Sequence, residues 1–594
     1  SLVGARVACG GTLAPLLVPG APAAQETGGV TGRVTDAASG QPLVAAQVQI
    51  VGTTLGAQTN AAGQYTIRGV RPGPAEVRVL RVGYAEQKQP VTIVGGQTAT
   101  INVAMRAVAT SLTPVVTTAT GEQRRVEVGN AIAQVNAAEI VQTRPVANMG
   151  DLLTARAPGV QVLPGTQTGA GTRVRIRGTS SLSLTNNPIY VIDGVRMESS
   201  TGSMAVGVGG TTPSRVGDLN PEEIESIEVV RGPSAATLYG TDAANGVIVI
   251  TTKRGRAGRP QWSYYTEQTG IRDLNEYPDA FRSWRSGPNA ATTSTAANAV
   301  QCFLTDQARG ACMQDSVTRF NLFKDPETTP YGTGYRQQHG LQLSGGSETV
   351  RYFLHGEYED EDGVTRVPEF DRRWLAARGL SLRPEQENPN RLVKNTARAN
   401  VNVSLPRNAE LAVSAGYTSQ DLRLPMSDDS GVSGIGANVY GGPGFKYNVI
   451  GTDTLYGWRQ FTPRDIYQQT TNQGVERFIG STNANWRPAE WLALRGNFGV
   501  DFTNRTDTQL CRFANCPDVG LDRLGFKRDY RTNFWTYTVD VGATGTRRLG
   551  QSLESKTTTG VQFFRNVFNR NGAEGLQLPP GAVAVTAGAV PVAN

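Results

Sequence analysis

The chain is poor in the residues that metal and acid–base chemistry use. Its 594 residues include two His and five Cys, with no C-x-x-C or H-x-x-x-H spacing, so neither a structural zinc nor a His-centred active site finds its ligands. Charged residues make up 18%, and a net charge of +7 is small for this length, so nothing demands a nucleic-acid partner. Beyond the extreme N-terminus there is no apolar run of about twenty residues, which excludes a helical membrane protein. Glycine, by contrast, is abundant: 69 residues without a collagen period. The length allows about four domains, or fewer if one is a large barrel. The composition is that of a β-rich, turn-rich chain, and we expect no catalytic residue, cofactor or metal.

Val7 to Ala24 are uncharged, follow Arg6 and end in Ala21-Pro22-Ala23. This is the apolar core and cleavage site of an export signal with an incomplete start, so residues 1–24 are read as a signal peptide, a flexible N-terminus being the other reading. Cys9 lacks the preceding Leu of a lipoprotein site and is counted within the signal.

Residues 28–106 alternate apolar and polar positions around turn clusters. Val30 and Val34, Val48 and Ile50, Tyr65 and Ile67, Val77 and Val79, Val91 and Ile93, and Ile101 and Val103 mark the strands, broken at Ser39-Gly40, Asn60 to Gly63 and Arg71 to Pro74. Period-two patterning with turns at this spacing predicts a small β-sandwich. The following segment, 107–120, is rich in Ala, Val and Thr. Its Val115-Val116-Thr117 run is either a linker or a strand offered to another protein's sheet edge.

From 121 to 256 helix and strand signals alternate. Asn148 to Leu153 starts a helix, stopped by Pro158-Gly159. Val174 and Ile176 alternate with Arg173, Arg175 and Arg177, giving a strand with one cationic face. That face is either solvated or turned to acidic groups of a surrounding wall. Ile189 to Ile192 is a buried strand closed by the hairpin pair Asp193-Gly194. Asn220-Pro221-Glu222-Glu223 has the cap, proline and acids of a helix start. Ile227 to Val230 and Val247 to Ile250 are strands, and Ala235 to Tyr239 is a short helix stopped by Gly240. A compact α+β domain follows from this order.

Several of these runs resemble a known family. G-R-V-T-D (32–36), G-Q-P-L (40–43) and N-A-A-G-Q-Y (60–65) resemble the carboxypeptidase regulatory-like domain, a transthyretin-like accessory sandwich. R-V-R-I-R-G (173–178), P-I-Y-V-I-D-G-V (188–195), N-P-E-E-I-E-S-I-E-V-V-R-G-P-S-A-A-T-L-Y-G (220–240) and A-N-G-V-I-V-I-T-T-K-R-G (244–255) resemble the plug of TonB-dependent outer-membrane transporters, most nearly the SusC/RagA branch. On this resemblance the plug motif comprises Arg177, Gly178, Asp193, Gly194, Arg231, Gly232, Tyr239 and Gly240. Val115, Val116 and Thr117 fall where a TonB box is expected. The implied partners are TonB and a SusD-like surface lipoprotein. The implied function is import of an oligosaccharide or peptide nutrient across the bacterial outer membrane, with adhesion or signal transduction as the alternative.

Residues 261–594 read as alternating strands with tight turns on one side and long loops on the other. Ala399 to Leu405 turns at Pro406 to Asn408 into Leu411 to Tyr417. Trp486 leads through 487–490 into Leu492 to Phe502, and Trp535 to Ala543 repeats the plan. An apolar face, a polar face and aromatics near strand ends define a transmembrane β-barrel; a soluble sandwich would be polar on both outer faces. About 330 residues supply roughly ten to twelve strands, against the 22 of the plugged transporters, so a C-terminally truncated barrel is expected. In an exported chain Cys302/Cys312 and Cys511/Cys516 suit local loop disulfides. The Gly clusters at 169–171 and 207–210 do not join a strand to a helix as phosphate loops do, and His339 and His355 lie on predicted strands without a nucleophile motif.

Overall fold

A computed structural model describes residues 27–37, 40–81, 84–105, 132–165, 167–182, 185–199, 213–231, 235, 239–285, 301–427, 433–550 and 553–593, together with the backbone of three short strands at 3–4, 115–118 and 121–124. The segment read as an export signal lies outside these residues except for Val3–Gly4, which pairs with Thr269 and Gly270. The chain divides into two compact units.

One unit holds the sandwich. Gly28–Asp36 is flanked by Gln64–Val70 and by Thr98–Thr100 and Val103–Met105 in one sheet; Gly56–Gln58, Gln47–Ile50, Gly73–Leu80 and Gln87–Ile93 form the other. The alternating positions fill the space between them: Val30, Val34, Val48, Ile50, Ile67, Val77, Val79 and Met105 are all buried. Gly32 is required by packing, since a Cβ there would stand 1.7 Å from the Ile101 carbonyl oxygen. The break expected over Arg71 to Pro74 is shorter than read. A strand begins at Gly73, and Pro74 faces Thr92.

The second unit contains the α+β domain and the large sheet. In the α+β domain five strands lie in the order Ile132–Asn136, Ile224–Val230, Val247–Thr252, Ile189–Ile192, Val195–Met197. Ile189–Ile192 runs parallel to Val247–Thr252, whose four Val and Ile residues are buried, as a strand covered on both faces requires. Two helices cover this sheet. Ala137–Thr143, not anticipated from sequence, is capped by Asn136, and Met149–Leu153 has a capping box between Asn148 and Asp151. The second ends at Leu153, before the expected Pro158-Gly159 stop, because Ala155 turns left-handed (φ 61°). The helix expected at Asn220 is only a three-residue 3-10 turn, Pro221–Glu223. The cap is present, but the β-branched run from Ile224 pairs with the Val247–Thr252 strand and overrides the start signal. Residues 236–238 of the expected Ala235 to Tyr239 helix lie outside the described residues.

The large sheet is antiparallel and 11-stranded, with Val3–Gly4 and Val590–Ala593 at its edges. Between them stand nine long strands: Gly258–Arg272, Thr333–Gly346, Val350–Asp362, Arg391–Leu405, Ala409–Leu424, Thr470–Ala489, Leu492–Cys511, Phe526–Arg548 and Glu554–Leu576. The first hairpin turns where read, at 406–408, while the second turns later than read, since its first strand runs on to Ala489. Leu405 faces Ala409 and Val401 faces Val413; Phe502 faces Trp535. One face exposes Trp262, Tyr264, Val413, Tyr417, Phe498, Val541 and Phe563, and the other buries Arg336, Lys394, Arg398, Arg477, Asp501 and Asp507. That inverts a soluble sheet. Apolar side chains meet the surroundings and ions are enclosed, which decides for a membrane wall over a sandwich. The long loops are not simply polar either. Trp458, Phe370, Val439, Ile466 and Tyr467 form a core of their own beyond the strand ends.

Candidate functional site

The buried face of the wall encloses the α+β domain, and three sets of contacts hold it there. The first centres on Glu223. The Asn220 cap and Pro221 fix the 3-10 turn so that Glu223 projects from its end, while Asn220 also donates to Thr396 of the wall (3.1 Å). One Glu223 carboxylate oxygen accepts from Arg398 Nε at 2.6 Å, and the other lies 3.0 Å from His355 Nδ1. The opposite ring nitrogen of His355 meets the Tyr265 hydroxyl at 2.9 Å, which also donates to Glu357. Burial alone would raise the Glu223 pKa, but Arg398 and then His355 outweigh it and hold the carboxyl at about 2.

The second contact is the Asp193-Gly194 turn. Both residues have positive φ, 45° and 86°, the geometry of a type I′ hairpin joining Ile192 to Val195. The Asp193 carboxylate accepts from the Thr252 amide (3.0 Å) and hydroxyl (2.6 Å) within its own domain and from Ser414 of the wall (3.1 Å). The carbonyls of Asp193 and Gly194 accept from Asn483 (3.1 Å) and Asn497 (2.7 Å). A Cβ at Gly194 would stand 2.5 Å from Asn497 Nδ2, so close approach as well as φ selects glycine.

Arg477 of the wall makes the third. It binds Asp501 beside it (2.7 Å), Asp218 of the enclosed domain (3.1 Å), and the backbone carbonyls of Arg215 (2.8 Å) and Glu198 (2.9 Å). The Glu198 amide donates back to Asp501 at 2.6 Å. Five donors on a planar fork suit guanidinium to such a crowded site.

The positions singled out from sequence are dispersed. Asp193 and Gly194 lie in the contact just described. Arg177 adopts φ 60° and donates its amide to Gly159, next to Gly178 at φ 89°. Arg231 donates to the Pro158 carbonyl at 2.5 Å. Tyr239 is buried and Gly240 has φ 82°, while Gly232 lies outside the described residues. Among the described residues none of Arg173, Arg175 and Arg177 ion-pairs with the wall, and Arg175 bonds Thr179 at 3.0 Å, which favours the solvated reading of that stripe. Val115–Thr118 is a short strand paired with Gly121–Arg124. Cys302 and Cys312 are joined (S–S 2.01 Å), as are Cys511 and Cys516 (2.10 Å). Sequence reading missed Glu223, Arg398, His355, Asp218, Arg477 and Asp501 as a site. Each was visible only as a polar position on a strand or in a cap.

A membrane wall that encloses a compact domain held by buried ion pairs defines a plugged outer-membrane β-barrel. Residues 124–247 match the TonB-dependent receptor plug domain, and residues 29–106 match the carboxypeptidase regulatory-like domain. The chain is 28% identical over 508 residues to TonB-dependent receptor P26 of Formosa agariphila, covering 83% of this chain and 44% of that one. It is also 28% identical over 361 residues to TonB-dependent receptor SusC of Bacteroides thetaiotaomicron, covering 59% and 32%. A solved structure of the RagAB peptide importer in its open-open state shares the fold, with a TM-score of 0.54 at 17% identity over 81% of this chain and 53% of that one. The chain is similar to the TonB-dependent receptors of SusC/RagA type, a family of outer-membrane receptors and transporters and not of enzymes. It spans less than half the length of these two relatives.

Proposed function

We propose that the protein works in TonB-dependent import of an oligosaccharide or peptide nutrient, with the plug as its gate and a SusD-like lipoprotein at the outer loops. The observation that carries this reading is the Glu223–Arg398–His355 contact. An enclosed domain held by discrete polar contacts suits a part that must be pulled free and returned. The Val115-Val116-Thr117 strand is short and β-prone, the form TonB needs to add a strand and pull. Substrate released above the plug then crosses when it shifts, and no covalent chemistry is required.

The test is in the native host. The full-length receptor with residues 113–118 deleted should reach the outer membrane in normal amount, bind labelled oligosaccharide or peptide at the surface, and take up none. Undiminished uptake would refute the TonB-box assignment. Surface binding without uptake in the unaltered receptor would favour the adhesion or signalling role instead.

A further inference from the structure

Around Arg398 the wall meets the enclosed domain chiefly as a donor. Arg398 Nε donates to Glu223 (2.6 Å), the Ser414 hydroxyl to Asp193 (3.1 Å), and Asn400 to the Lys253 carbonyl (2.7 Å). Asn483 and Asn497 donate to the carbonyls of Asp193 and Gly194 at 3.1 and 2.7 Å. Asn220, which donates to Thr396, runs the other way. The wall donors adjoin one another. Arg398 faces His355 on one neighbouring strand and reaches Ser414 on the other with Nη1 (3.3 Å). Ser414 faces Asn400 on one side and Ser481 on the other, while Asn483 donates to Ser481 (3.4 Å) and faces Asn497. Facing side chains on adjacent strands are close enough to act on one ligand.

The buried cations of the wall differ in where their counter-charges come from. Arg336 and Lys394 each hold Glu359 at 2.6 Å, Arg477 holds Asp501 at 2.7 Å, and Arg505 holds Asp507 at 2.9 Å, all of them wall residues. Arg398 is different. Its two carboxylate partners, Glu223 at 2.6 Å and Asp193 at 4.0 Å, both belong to the enclosed domain. Among the described residues no wall carboxylate pairs with it; Glu357, two residues from His355, accepts from the Tyr265 hydroxyl. Movement of the enclosed domain therefore strips Arg398 of both counter-charges and leaves Asn483 and Asn497 without the turn carbonyls they bind. A cation and its flanking donors then line the vacated space, an arrangement completed by an anion.

We propose that this band of the wall, centred on Arg398, binds a carboxylate of the transported substrate once the plug has moved aside. The inference rests on the import reading and narrows its substrate to one that carries a carboxylate, an acidic oligosaccharide or a peptide. In the closed state Glu223, Asp193 and the turn carbonyls occupy the donors as a substrate's carboxylate and neutral oxygens would. Guanidinium takes a carboxylate through two parallel hydrogen bonds, and the flanking amides and hydroxyl suit neutral oxygens. A neutral substrate would leave the Arg398 charge uncompensated during passage. Returning to its seat, Glu223 displaces the bound carboxylate from the same cation.

The full-length receptor in planar lipid bilayers, its plug displaced with urea, should carry a potassium chloride current. Two carboxylated probes, a galacturonate trisaccharide and acetyl-trialanine, are compared with two neutral ones, maltotriose and acetyl-trialanine amide. At least one carboxylated probe should half-block the current at about ten-fold lower concentration than its neutral counterpart, and which of them does so names the source of the carboxylate. Arg398→Gln should abolish that preference and Arg398→Lys should retain part of it. Glu223→Gln, which breaks the same pair from the plug side, should keep the preference whole. Equal block by carboxylated and neutral probes, or an unchanged preference in Arg398→Gln, would overturn the proposal and leave the gate standing. Absence of any current would instead refute the plug as a gate, and the inference with it. Should Arg398→Gln lose the heat-modifiable migration of a folded barrel, Asn497→Asp carries the comparison: a negative charge in the same band should weaken block by the carboxylated probe alone.

Discussion

Glu223 and Arg398 leave only 6% and 5% of their side chains exposed, so neither charge has water to fall back on. Truncating one partner of such a pair strands the other, typically at about 3–5 kcal/mol. Arg398→Gln should therefore loosen the plug more than Glu223→Gln, because Arg398 retains Asp193 at 4.0 Å when Glu223 is neutral. Protection of Ile224–Val230 amides from hydrogen exchange is the measurement, and the double variant should lose less than the sum of the singles. The same pair sets a pH window. The Glu223 carboxyl is depressed to about 2 in the folded state, against about 4.3 when unfolded. Its stabilisation is complete above the unfolded value and is lost as pH falls from there through about 2. Plug melting temperature should drop over that interval in the wild type and be flatter in Glu223→Gln. Little of this was legible beforehand. Glu223 was read as an acid at a capped helix start, of which only the cap and a 3-10 turn formed; its partners lie 132 and 175 positions away in sequence, and no local pattern links them.

The strands of the wall were the most legible elements. Period-two alternation puts Val413 and Tyr417 on one face and fixes the register with Val401 and Ala397, since a slip of one residue would turn apolar groups inward and ions outward. Val541 is 56% exposed and pairs with Val561 on the same face. Val541→Arg should cost about 2–4 kcal/mol if that position lies at the bilayer midplane, and refolding into lipid vesicles measures it. Short elements were less legible. The turn at Asn220 had every cap signal of a helix and yet stops after the 3-10 residues Pro221–Glu223, because the run from Ile224 pairs with Val247–Thr252. The loop core around Trp458 also escaped notice, as its members come from segments nearly 150 residues apart and share no periodicity.

At the scale of the molecule, the sandwich is a separate compact unit with its own buried core of Val30, Val48, Ile67 and Val79. Residues 27–105 expressed alone should fold and unfold in a single cooperative transition, and calorimetry tests this; a broad, probe-dependent transition would show that the core needs the rest of the chain. In sequence the two matched domains were recognisable by the motif runs that carry their turn residues, as at Asn60 to Gly63 and Asp193-Gly194.

By itself the sequence determined the strand faces, the Asp193-Gly194 turn and the order of the two matched domains, because alternation and turn chemistry act over a few residues. Only the tertiary structure decided which charges meet across the plug and wall, and that among the described residues Arg173, Arg175 and Arg177 form no ion pair with the wall. Those outcomes depend on groups brought together from distant strands, where desolvation makes each ion's partner a matter of enclosure and not of neighbouring sequence.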